Sequence, residues 1–245
     1  MLISTGEWEP DGEPDPHQVF LQAREDTAAG RYPEALAKRL WFHHHSLEWG
    51  PALFGVRLSY ALQDWMELAA LYPPALEALT AIRDSVANTF RAGNGSRDEF
   101  IDVVAINRAL EQEARSVQLF LQLCEDQPEL AASVFDIVRS ALVRARAYEL
   151  CARFLHPKQD LERALSLYRM NRKLAEDPKF GEHLRQTGEL TFANEIATLA
   201  ALLVVNGRKE EAQQIVSLAK QEWSDRKFEP LLQQALEGKV PDPLW

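Results

Sequence analysis

From about residue 17 to about residue 238, apolar side chains recur at intervals of three and four, and breakers cut this pattern into short lengths. Gly30, Gly50-Pro51, Pro73-Pro74, the "AGNGS" run at 92–96, Pro128, Pro157, Pro178, Gly188 and Asn206-Gly207 punctuate it. An interval of three and four is the period of a helix with one buried face. No run of alternating β-branched residues offers a strand. The spacing of the breakers predicts roughly ten or eleven helices with short links, and short links set neighbours antiparallel. The fold class is therefore all-α, an array of helical hairpins.

The hairpins share a pattern. "AAGRYPEALAKRL" at 28, "AALYPPALEALTAI" at 69, "HPKQDLERALSLY" at 156 and "VNGRKEEAQQIV" at 205 each run from a turn to a small residue opening a second helix. The matching residues are Ala35, Ala75, Ala164 and Ala212, with a fainter copy at Ala114. A small residue is expected wherever two helices cross closely. "GRYPEAL" (30–36), "GRKEEA" (207–212) and "DLERALSLY" (160–168) resemble the tetratricopeptide family of helical-hairpin repeats. That resemblance implies a right-handed array of antiparallel hairpins. The chain departs from the family in its longer, irregular period, where the family repeats at about 34 residues, and in lacking the Leu-Gly pair. "EPLLQQALEG", from Glu229, is expected to cap the array, since a stack of hairpins must close its last apolar face.

Residues 1–16 differ in character. Glu7, Glu9, Asp11, Glu13 and Asp15 occur there without a Lys or Arg, among prolines and glycines. The segment reads as an acidic tail or an extended cover strand, and residues 17–245 as a single repeat domain. A formal net charge of −10 argues against nucleic acid, whose partners present a basic stripe, and against an anionic membrane surface. The opening residues lack a secretory pattern. No apolar run approaches the ~20 residues of a spanning helix; "IATLAALLVVNG" from Ile196 is too short. A cytoplasmic location is the expectation. Cys124 and Cys151 match no metal-ligand spacing and are read as free thiols.

Chemistry has one candidate in the sequence, "RLWFHHHSLEWG" at 39–50. Adjacent helical residues point about 100° apart, so His43, His44 and His45 do not converge on one ion. A helical site wants ligands four apart, and only His44 with Glu48 offers that pair. No metal, no cofactor and no catalytic residue is expected. No phosphate loop or nucleophile elbow is present; "AGNGS" follows a helix rather than a strand.

Binding is the better fit. In repeats of the kind this chain resembles, the first helix of each hairpin lines a concave groove, with i, i+3, i+7 and i+10 facing it. In the second hairpin those positions are Arg57, Tyr60, Asp64 and Glu67. In the fourth they are Arg146, Glu149, Arg153 and His156. Mixed charge with an aromatic suits the reading of a peptide. In the fifth they are Asn194, Ala197, Ala201 and Val204, a surface that needs a cover. The family's carboxylate-clamp positions hold Phe20 and Arg24 here, so a chaperone-tail adaptor is not expected. The sequence thus points to a non-enzymatic scaffold binding a protein or peptide. Its rivals are a metal-dependent or hydrolytic enzyme using His43–His45, and a self-associating protomer forming a homo-oligomer.

Overall fold

The structure is a computed structural model that describes residues 8–244 except 11, 13, 51, 178–180 and 224. Among the described residues every regular element is a helix and none is a strand, so the chain is all-α. The prolines that break the sequence pattern mostly open helices. Pro16, Pro33, Pro73, Pro128, Pro157 and Pro230 each lie within the first two residues of one. There the missing N–H costs nothing and the fixed φ already suits the helix.

The contacts divide the chain into two compact units, residues 1–134 and 135–245, where the sequence suggests one domain. The first unit holds three hairpins. The first pairs α1 (Pro16–Ala28) with α2 (Tyr32–His45). After a short α3 (Leu53–Leu58), the second pairs α4 (Tyr60–Leu71) with α5 (Pro73–Arg91). The third pairs α6 (Arg97–Ala109) with α7 (Glu113–Asp126), and α5 also packs on α6. The boundary falls inside α8 (Pro128–Arg144). The second unit continues with α9 (Tyr148–Ala152), α10 (Pro157–Leu174), α11 (Gly181–Val205), α12 (Lys209–Glu222) and α13 (Glu229–Leu236).

One turn recurs through both units. After α1, α6, α8 and α11 a residue takes positive φ: Gly30 (76°), Glu111 (56°), Arg146 (56°) and Gly207 (78°). The next N–H then reaches back five residues: Arg31 to the Asp26 carbonyl, Gln112 to Asn107, Ala147 to Leu142 and Arg208 to Leu203, at 2.7–2.9 Å. This closure satisfies carbonyls that the helix end leaves unpaired. The same closure follows Gly93 after α5 and Gly238 after α13, where Asn94 reaches back to Thr89 and Lys239 to Gln234 at 3.0 Å, so glycine marks four of its six places among the described residues. At the other two a side chain bears the left-handed strain.

The repeating alanines divide. Ala35, Ala75 and Ala212 are fully buried, each at the start of a second helix. Trp65 of α4 shows why Ala75 is small: its indole N–H reaches over to donate to the Ala75 carbonyl at 2.8 Å. Ala164 is only half-buried. Ala114 is exposed, a correction to its place in the series. Helix α7 starts at Glu113 and turns Ser116, Leu119, Phe120 and Leu123 inward instead.

Helix α11 organises the second unit. It runs back to Gly181, so the apolar stretch is longer than the sequence suggests, and by length and composition it could cross a membrane. In the structure α10, α12 and α13 pack around it. Ile196 through Leu203 are buried without interruption, leaving it no polar face over two turns. The cover sought for Ala197 and Ala201 is therefore the chain itself, and both are fully buried. The segment after α13 joins in, with Asn194 Nδ2 donating to the Asp242 carbonyl at 3.1 Å. Helix α13 packs on α11 and α12. Tyr168, Phe192, Trp223 and Phe228 stack beside this core, with neighbouring centroids 4.8–6.0 Å apart.

The described part of the N-terminal segment lies against α2. Trp8 meets Trp41 edge-on at 6.3 Å, and the Lys38 ammonium sits 5.2 Å over the Trp8 ring. Asp15 caps α1 by accepting from the His17 N–H at 2.9 Å. Residues 1–7, 11 and 13 of that segment lie outside the described residues. Cys124 and Cys151 form no disulfide. Burial pushes the Cys151 thiol up to about 11, which holds it in its unreactive protonated form.

Candidate functional site

The three histidines occupy three environments. His43 is buried, His44 is exposed and His45 is half-buried. The carboxylate partner is one residue off expectation: Glu48 pairs with His45 Nδ1 at 3.0 Å rather than with His44. His45 also stacks on Trp41 at 5.4 Å. His43 stands edge-on to Trp65 at 6.1 Å, with its Nε2 3.4 Å from Arg57 Nη1. Burial, then the Arg57 charge, drives its pKa down to about 3. A buried ring beside a fixed guanidinium is a poor place for a cation. Among the described residues no three His, Cys, Asp or Glu side chains gather in a metal-binding group.

Arg57 is accordingly not a groove residue. Helical spacing from Arg57 to Glu67 presumes one helix, but the backbone breaks at Ser59 (φ −127°, ψ −87°) between α3 and α4. Arg57 turns inward, is 5% exposed, pairs with Asp102 of α6 and donates to the His43 carbonyl at 3.2 Å. Burial raises the Asp102 carboxyl even though Arg57 lowers it. Asp64 is also spent internally. It lies 3.1 Å from Arg24 Nε of α1, close enough for an ion pair though not aligned as a hydrogen bond. Phe20, at the other clamp position, packs on Phe42 at 5.4 Å. Glu67 and Tyr60 are exposed, Tyr60 at 68%.

Tyr60 stands at the edge of an open groove of about 590 Å³ between α4 and α6. Leu62, Met66, Ala105 and Ala109 give it an apolar floor, and Gln63 and Arg108 give it polar rims. The first helices of two successive hairpins thus face it. The groove lies about a quarter-turn of α4 away from the Tyr60–Asp64–Glu67 face, which α1 approaches through Arg24. Gln63, Met66 and Arg108 were not legible as site residues. The one available signal was Ala105 and Ala109, small, half-buried and four apart on one face of α6.

The second stripe does not lie on one helix. Arg146 is the positive-φ residue of the turn after α8, Glu149 is on the five-residue α9, Arg153 follows its end and His156 is the residue before α10. All four are exposed. Arg153 lies 5.8 Å over Phe154, and the His156 N–H donates to Asp160 at 2.9 Å. Arg146 and His156 have turn and helix-start roles that account for their positions.

No family model matches the chain, and no curated protein or solved structure is significantly similar to it, so none of these comparisons identifies a tetratricopeptide family.

Proposed function

We propose that the chain is a non-enzymatic interaction scaffold of TPR-like hairpins that takes a peptide or helix of another protein in the α4–α6 groove. The observation that supports this reading most is the groove itself. A large aromatic, Tyr60, stands mostly exposed over an apolar floor, and such a ring on a rigid helix gives contact area at little entropic cost. The floor suits the apolar face of an amphipathic segment. Arg108 suits a carboxylate on its polar edge. The internal pairs of Arg57 and Asp64 then tie α3 to α6 and α4 to α1 rather than touching the partner.

The self-associating alternative loses its motive where α11 is covered by its own unit. Against the enzymatic alternative stands His43, which is buried against Arg57 while His44 is exposed and His45 half-buried. A photocrosslinking residue placed at position 60, with a second at Lys158 on the exposed side of α10 as control, tests the reading. Capture of one polypeptide from position 60 and not from 158, with binding weakened by Tyr60→Ala by about 2 kcal/mol, is the expected result. Equal capture from both positions, or unchanged binding by Tyr60→Ala, overturns it.

A further inference from the structure

Helix α6 has a second functional-looking face, opposite the groove. There Val103 and Asn107 form the floor of a small cleft walled by α5 and α7, about 80 Å³ in volume. Three guanidinium groups line it, Arg83 and Arg91 from α5 and Arg115 from α7, against one carboxylate, Asp84. On a chain whose formal charge is −10, this is a local surplus of two positive charges.

Arg83 is built in rather than trailing on the surface. Its side chain is 3% exposed. Nε donates to Asp84 at 2.7 Å, and Nη1 to Gln112 at 2.7 Å and Asn107 at 3.2 Å. Asn107 is held in turn by donating to Ser116 at 3.0 Å. These bonds fix the guanidinium on the wall of the cleft. Asp84 does not neutralise the cluster. Its side chain is half-exposed, it pairs with Arg83 at 2.7 Å and with Arg115 at 3.7 Å, and one carboxylate offsets only one of the three guanidinium charges. The Arg83 hydrogen bond, with Arg115 and Arg91 adding their charge, holds the Asp84 carboxyl below its usual range, as expected in a positive local potential. The spacing is regular on both walls. Residues 83, 84, 87 and 91 share one face of α5, and 115, 118, 119 and 122 share one face of α7, with Gln118 and Gln122 offering neutral amide donors.

We propose that this cleft binds a phosphate group. Guanidinium forks match phosphate oxygens in pairs, and a dianion balances a surplus of two. The volume suits a single tetrahedral oxyanion. Inorganic phosphate and a small phosphomonoester share this chemistry, and the site takes the phosphoryl group of either.

The test uses the full chain and titrates inorganic phosphate by calorimetry at pH 7.5, with ionic strength held constant by chloride. O-phosphoserine is titrated in a second arm. Saturable binding of phosphate is expected, weakened by about tenfold or more in Arg91→Gln/Arg115→Gln, whose folding is checked by circular dichroism. Arg83 is left intact because it ties α5 to α6 and α7. If the double variant fails to fold, Arg91→Lys/Arg115→Lys keeps the charge and removes the forks, and the same weakening is expected. Binding of phosphoserine at least as tight as phosphate marks a phosphomonoester as the ligand; binding of phosphate alone marks the free ion. No saturable heat in either arm, or equal binding by the wild type and the folded variant, overturns the proposal and leaves the arginines as solvated ion-pair partners.

Discussion

The two units bury their helices in different ways. In the first, each helix hides one stripe, and charged side chains reach inside to join the hairpins: Arg57 to Asp102, Arg24 to Asp64, Arg83 to Asn107. In the second, α11 is buried all round over two turns, and its neighbours wrap it. One-sided burial leaves faces over, and the α4–α6 groove and the α5–α7 cleft both lie in the first unit. A helix that is apolar all round leaves no face to spare. The proposed groove and cleft thus lie beside the first unit's polar joints, while the second unit sets such a joint, Arg139 of α8 with Glu195 of α11, beside an apolar core.

The contrast is sharpest in a pair of truncations. Leu202 of α11 is fully buried, and Leu202→Ala is expected to cost about 3–4 kcal/mol through lost burial and an unfilled cavity. Met66, on the half-buried floor of the groove, is expected to cost about 1 kcal/mol or less as Met66→Ala. Urea midpoints of the two variants measure this. Similar losses would mean that the groove is part of the core.

Acid distinguishes the polar joints from the dry core. His43 has a folded pKa of about 3 against an ordinary value near 6.5, so the folded state keeps it neutral while the unfolded chain takes up a proton. Its stabilising effect is complete above pH 6.5 and is lost as pH falls towards 3. By pH 4 the loss is expected to reach about 3 kcal/mol. His43→Gln, which does not titrate, is expected to show a flatter stability profile between pH 6.5 and 4. An unchanged slope in that variant would place the acid sensitivity elsewhere.

The smallest expected effect compares the same turn in both units. Glu111 and Arg146 adopt φ of 56° where Gly30 and Gly207 adopt a similar angle without strain. Glu111→Gly and Arg146→Gly are each expected to stabilise the chain by about 0.5–1 kcal/mol, read as a raised urea midpoint. A loss from Arg146→Gly alone would show that its side chain does more than end α8, which would revive it as a contact residue.

The helices, their proline starts and three of the five small crossing residues were written in local sequence. Periodicity and breaker chemistry act within a turn or two, and Ala35, Ala75 and Ala212 carry their reason beside them. The geometry of three adjacent histidines was legible for the same cause, because a helix fixes neighbouring directions whatever surrounds it. The site was not. A stripe from Arg57 to Glu67 holds only if the helix is unbroken, and the break at Ser59 carries no Gly or Pro to announce it. The turn at Arg146 is hidden likewise, since tertiary packing there holds a non-glycine residue in the left-handed region. Which of two exposed-looking arginines turns inward depends on Asp102, 45 positions along the chain from Arg57. Whether α11 meets lipid, a partner or its own neighbours depends on helices that fold back over it. Local backbone energetics determine where helices start and stop; which face each one buries is decided by what long-range packing brings against it.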